Sequence, residues 1–398
     1  MTDLIIRNAL TRKTGKDLVD ISIKDGKISK IATKIDDKGN DEIDAKGNLV
    51  TESFINGHLH LDKVYTLDMA GQKAIEEYNV GDMKNALSSI ASAAEFKTKY
   101  DEKWIIENVR KALDLAVKYG NTHIRAFADV DSKAKLEGVK ALLKAKEEYK
   151  DKVTIDVVAF PQDGVIRENG AYEYMEEALK MGADVVGGIP WIEFTKEDEQ
   201  AHVDKMCYLA KKYNKDISML CDDVGDAEER TFEMLIKKVL EMGWEGRATG
   251  QHCRAMMLYP ENQFNKLCAL LKKAKMGVIS DPQTGPIHAR VQDLIKEGIP
   301  VGLGQDDIND AYYTFGQNNM LEIAFINAHI LRMCSDKDLE IVYDMITTMA
   351  AKVLNLKNHE LIVGGNADLV VLQEKDVKHA IWYHEKPLYV IKNGKIIN

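Results

Sequence analysis

Long apolar runs are missing from this chain. No stretch of its 398 residues approaches the length needed to cross a bilayer, and the opening Met1-Thr2-Asp3-Leu4-Ile5-Ile6-Arg7-Asn8 has no basic segment followed by an apolar core, so neither a spanning helix nor a secretory signal is expected. Cysteine is scarce and odd in number. The five residues, Cys207, Cys221, Cys253, Cys268 and Cys334, have no CxxC spacing, which argues against a disulfide framework or a zinc ribbon and fits a reducing cytoplasm. Positive charge is outnumbered, with 54 Lys and Arg against 64 Asp and Glu for a net charge of −10. The basic residues are spread through helical segments, so neither nucleic acid nor an anionic membrane is expected as a partner, and a small soluble substrate is the natural alternative. Internal repeats and low-complexity segments are also absent, and no GxGxxG follows the first barrel-type strand to mark a dinucleotide site.

What is present is a change of texture along the chain. Residues 3–48 read as short strands with tight turns, including an Asp25-Gly26 hairpin signal, and the C-terminus repeats this with Asp368-Leu369-Val370-Val371-Leu372 and the turn Asn393-Gly394. Two β-rich ends around a different middle predict one small β-sandwich domain built from both termini. Its parts are residues 1–52 and 358–398, and residues 53–357 form a separate central domain. That middle alternates strand-like runs, at about 48–56, 122–130, 152–160, 184–190, 215–222, 246–252, 276–280 and 300–306, with charged segments of helical spacing. Eight strands alternating with helices predict an α/β fold, a closed (β/α)8 TIM-like barrel with active residues at the strands' C-terminal ends. An open doubly wound sheet is the alternative. The stretch 64–100 reads as helix plus loop, placed to cover the site.

Chemistry-bearing residues fall at those strand ends. His58 and His60 stand at i and i+2, so on a strand their imidazoles share a face and can converge on one metal ion. Asp306-Asp307 closes the last apolar strand. Gln162 ends the third strand with a carboxamide able to donate and accept, Cys221-Asp222-Asp223 ends the fifth and Gln251-His252-Cys253 the sixth. Any one of these reads equally well as a cap or loop residue; their recurrence at successive strand ends is harder to dismiss. His288, after strand seven, is the one remaining histidine kept as a pocket residue.

With these motifs the chain resembles the amidohydrolase superfamily, and within it the cytosine deaminase-like metal-dependent hydrolases. The segments that carry the resemblance are His58-Leu59-His60-Leu61-Asp62, Val158-Ala159-Phe160-Pro161-Gln162-Asp163-Gly164, Gly182-Ala183-Asp184-Val185-Val186-Gly187-Gly188-Ile189-Pro190 and Asp306-Asp307-Ile308-Asn309-Asp310. The resemblance implies one divalent metal ion, zinc or iron, on His58, His60 and Asp306. It implies His252 as the strand-six histidine that orients the attacking water, Gln162 as the substrate-binding glutamine and Tyr312 as an aromatic against the substrate ring. Asp306 and Asp223, with His252, are then the catalytic residues, and self-association of the chain is an expectation carried over from such relatives.

Two departures matter. Leu220 stands where the family has a metal-binding histidine after strand five, and Asp223 where it has the proton-shuttling glutamate. Leucine cannot ligate a metal, so we expect His252 to turn inward and bind directly; Cys221 is the weaker substitute because a neighbouring strand residue points to the opposite face. The expected reaction is hydrolytic deamination of a small cyclic amidine such as cytosine, isocytosine, creatinine or a triazine-like ring. A cyclic amide or hydantoin-like ring hydrolase is the alternative within enzymes, weakened by the lack of a lysine at the strand-four end. A degenerate homologue that binds without turnover is the alternative outside them, favoured only by Leu220.

Overall fold

The computed structural model describes residues 2–70 and 96–398. Most of the expected cover over the site, residues 71–95, lies outside the described residues.

Eight parallel strands form one sheet in sequential order. They are β1 (Phe54–Leu59), β2 (Asn121–Asp129), β3 (Thr154–Phe160), β4 (Val185–Gly188), β5 (Asp216–Cys221), β6 (Ala248–His252), β7 (Gly277–Ser280) and β8 (Val301–Leu303). The sheet closes on itself just past β8, where the His60 amide donates to the Asp306 carbonyl at 2.8 Å and the Asp306 amide to the His58 carbonyl at 2.9 Å. The seam of the barrel is thus made by the residues singled out for chemistry.

The crossovers follow from local sequence. The helix Glu102–Tyr119 starts at Asp101, whose side chain accepts from the Lys103 amide, and buries Ile105, Ile106, Val109, Ala112, Leu113 and Ala116 on one face. It stops at Gly120, whose φ of 82° is left-handed, and where a Cβ would sit 2.7 Å from Val370; only glycine satisfies both demands. β2 begins at the next residue. At the N-terminal end of the barrel Ile55 and Ile279 pack on Ala350, Ala351, Val353 and Leu354, and the Thr249 hydroxyl donates to the Val353 carbonyl. That end is plugged, which leaves the site at the other.

The termini form two four-stranded sheets. Thr2–Ala9, Val19–Lys24, Lys27–Ala32 and Gly39–Asp44 make one; Val50–Glu52, Leu369–Val371, Tyr389–Lys392 and Lys395–Ile396 make the other. Leu4, Ile6, Ile21, Ile23, Leu369, Val371 and Ile391 share the core between them. The Asp25-Gly26 and Asn393-Gly394 turns have the positive φ values of tight hairpins. Two details differ from expectation. Thr2–Ala9 pairs in parallel with Gly39–Asp44. The run read as one strand at 48–56 divides at Ser53, because the Ser53 amide donates to Asp368 and the Phe54 amide to Gly120, so the chain changes sheets within one residue. Among the described residues no helix is long and apolar enough to cross a membrane.

Candidate metal centre and active site

His58 and His60 end β1 with ring centroids 4.9 Å apart, as the i, i+2 spacing requires. Across the seam Asp306 follows β8, and His252 ends β6. Both adopt left-handed backbone, with φ of 68° and 60° respectively, a conformation that costs non-glycine residues energy and collects at functional sites. The outcome is convergence on one atom. Asp306 Oδ1 lies 3.2 Å from His58 Nε2, 3.9 Å from His60 Nε2 and 3.7 Å from His252 Nε2.

The protein also selects the tautomer of His58. The Gln251 amide nitrogen donates to Ser218 Oγ at 2.7 Å, so its oxygen faces His58 Nδ1 at 3.0 Å and takes the ring proton there. The lone pair is left on Nε2, which is buried with no hydrogen-bond partner among the described residues. A hydrogen-bonded Nδ1 and a bare Nε2 are what a ligating histidine needs. His58, His60 and Asp306 offer ligand atoms within 4.8 Å of one another, as do His58, His252 and Asp281. An orphaned nitrogen beside a carboxylate, in a set of imidazole and oxygen donors, fits a zinc- or iron-class divalent ion.

Electrostatics agree. Burial works against a charge on His58, but the Asp306 carboxylate outweighs it and raises the imidazole above its usual value. Burial alone would raise Asp306; the facing imidazoles of His252 and His58 instead hold it well below the carboxylate range. Burial pulls His252 down to about 4 and pushes Asp281 up to about 7. A metal competes with the proton on His58, so affinity should rise with pH until that raised value is passed and then level. Calorimetric zinc titrations in buffers of different ionisation enthalpy should therefore register less proton release as the pH is raised through the His58 titration.

Leu220 faces into the barrel, packed with Phe127, Phe160, Val185 and Trp191, while Cys221 faces outward into the strand–helix core. The cysteine is thus pointed away from the site, as strand alternation demands. The aromatic wall is in contact with the histidines: Phe127 lies 4.1 Å from His58 and Phe160 5.4 Å from His60, centroid to centroid. Asp223 accepts from Arg254 Nη1 at 2.6 Å; Arg254 also donates to Thr284 and approaches Asp306 Oδ2 to 4.0 Å. Gln162 ends β3 beside Lys63, whose ammonium donates to both Asp129 oxygens at 3.0 and 3.1 Å and reaches Gln162 Oε1 at 3.4 Å. Tyr312 packs against the aromatic wall, its ring centroid 5.6 Å from Lys63 Nζ.

His288 is not drawn in: it is half-buried, and its Nδ1 lies 2.7 Å from the adjacent Ala289 carbonyl. Three residues stand at the site without having been singled out from sequence, namely Lys63, Arg254 and Asp281. Each had a positional signal, since Lys63 follows the HxH motif, Arg254 lies two residues past His252, and Asp281 is the first residue after β7.

Comparison with known proteins places the chain in a family. The sequence profile described as amidohydrolase family matches residues 41–398. The chain is 35% identical to N-isopropylammelide isopropyl amidohydrolase of Pseudomonas sp. (strain ADP), over 99% of this chain and 97% of the relative. The 5-methylcytosine deaminase of Klebsiella pneumoniae, solved with phosphonocytosine, superposes with a TM-score of 0.89 at 30% identity, covering 99% of this chain and 98% of that one. N-isopropylammelide isopropylaminohydrolase of Burkholderia multivorans shares the fold, with a TM-score of 0.84 at 23% identity over 100% of this chain and 98% of that one.

Proposed function

This chain belongs to the amidohydrolase family and is an enzyme acting on C–N bonds, and from that premise we propose that it hydrolyses the exocyclic C–N bond of a small oxo-substituted nitrogen heterocycle, releasing ammonia or a small alkylamine. The observation that carries this reading is the convergence of three imidazole Nε2 atoms on Asp306 at the open end of the barrel. Relatives that act on N-isopropylammelide and on 5-methylcytosine support the substrate class.

His58, His60, His252 and Asp306 would hold one divalent ion, with His252 standing in for the histidine lost at Leu220. When bound, such an ion supplies hydroxide at neutral pH by lowering the pKa of water from 15.7 to about 7. The chain's own groups do the rest. Asp306 faces the reacting water and takes its proton; Asp223 carries a proton to the leaving nitrogen, and Arg254 spans the two carboxylates. Water's oxygen becomes the ring carbonyl, one of its two protons goes to the ring nitrogen and the other to the leaving nitrogen, the exocyclic C–N bond breaks and the neutral amine departs.

The orientation of Gln162 bears on the substrate. Its oxygen faces the Lys63 ammonium, so its NH2 is turned toward the ligand, and both groups offer donors only. The ring edge they meet must carry an acceptor, which is why the substrate is assigned an oxo group. Tyr312 stacks on the ring face. Gln162→Glu should raise KM roughly 10- to 100-fold for such a substrate and change kcat less, the size of a lost hydrogen bond to a polar partner; steady-state kinetics of the variant check this.

Amine release from cytosine, isocytosine, creatinine and alkylamino-hydroxytriazines by the metal-supplemented protein tests the function. Release from at least one six-membered ring is the expected result. A ring-opened acid, or no turnover of any member by protein with a full metal complement, would contradict it.

A further inference from the structure

Asp281 stands behind His252. It lies immediately after β7, fully buried, with the Gly304 backbone beside Oδ1 and no side-chain hydrogen-bond partner for either oxygen among the described residues. His252 Nδ1 is likewise buried and unpartnered. The two face each other, His252 Nδ1 to Asp281 Oδ2, at 3.4 Å.

We propose that Asp281 is the positioning residue that makes His252 a metal ligand, so that strand seven supplies what strand five lost at Leu220; the proposal rests on the metal-dependent reading above. The imidazole of His252 bridges two carboxylates, with Nδ1 toward Asp281 and Nε2 toward Asp306 at 3.7 Å. A small rotation of the ring closes the Nδ1–H bond to Asp281 and satisfies both orphaned groups together. That bond holds the proton on Nδ1, bares Nε2 and raises its basicity, as a carboxylate behind a ligating histidine does. For His58 the same task falls to Gln251, a neutral acceptor; His252 receives a charged one.

The surrounding chain is shaped to admit this carboxylate. A Cβ at Gly304 would lie 2.5 Å from Asp281 Oδ1 and 2.6 Å from the Cβ of His58, so any larger residue there would displace one or the other. The left-handed backbone of His252 sets the direction from which its ring enters. On the adjacent strand β5 Leu220 sits in the apolar wall with Phe127 and Phe160 and offers no competing donor.

The test is zinc affinity of the stripped protein, measured by competition with a chromophoric chelator, for wild type, Asp281→Ala, Asp281→Asn and the double variant Asp281→Ala/Leu220→His. Asp281→Ala should bind zinc about 10- to 100-fold more weakly, the usual effect of removing the group behind a ligating histidine. Asp281→Asn, which keeps an accepting oxygen without the charge, should fall between it and wild type, and it carries the test if the alanine variant does not fold. Leu220→His should restore most of the affinity by returning an imidazole on strand five. Either variant at Asp281 binding within twofold of wild type, or a loss that Leu220→His leaves unrepaired, would overturn the proposal. Wild-type protein that takes up no zinc would instead remove the metal-dependent reading itself.

Discussion

His58→Ala and Asp306→Asn should each abolish metal retention and lower turnover by about 10³-fold or more, with the barrel still folded. The size follows from what each residue contributes, since losing the ion removes the hydroxide that it makes available at neutral pH. The fold should survive because the seam is held by backbone atoms: the bonds from the His60 amide to the Asp306 carbonyl and from the Asp306 amide to the His58 carbonyl persist in both variants. A second signature accompanies Asp306→Asn. The carboxylate is what raises the His58 imidazole against its burial, so in the metal-free variant His58 should titrate at lower pH than in the metal-free parent. Metal analysis, circular dichroism and histidine NMR titration check the three parts.

Asp223→Asn should act differently, lowering kcat by about 10²- to 10⁴-fold, the range for loss of a positioned general acid–base group, while the metal content stays at the wild-type level. Asp223 is held by Arg254 Nη1, which donates to it at 2.6 Å. Arg254 retains Thr284 in the variant, which limits the cost of leaving the guanidinium without its carboxylate. Turnover left intact by Asp223→Asn would take this residue out of the mechanism and move the proton relay elsewhere. The contrast between the two variants separates holding the ion from moving the proton.

The barrel and the heart of the site were legible because their signals are local. HxH on a strand and an acidic pair closing the last one draw attention to His58, His60 and Asp306-Asp307 by spacing, the family resemblance singles out Asp306 of that pair, and a run such as Thr154–Phe160 reads as a strand wherever it lies. Partnerships across the barrel are not local. Gln251 selects the tautomer of His58 from 193 residues away, and nothing near either residue records it. Asp281 precedes Pro282 and a short turn, a context in which aspartate is ordinarily a cap; only its approach to His252 distinguishes it. Lys63 directly follows the segment that carried the resemblance but pairs with Asp129 on the neighbouring strand. The division of the run at 48–56 was hidden for another reason, because both halves are apolar and extended and differ only in which strand they bond.

The central claim is that water replaces an exocyclic amine on an intact ring. Turnover in 18O-labelled water by the metal-loaded protein, followed by mass spectrometry of the ring product and quantitation of the amine, tests it most directly. The account predicts one labelled oxygen on the ring for each ammonia or alkylamine released. Label recovered in a ring-opened acid, or amine released without label in the ring, would contradict it.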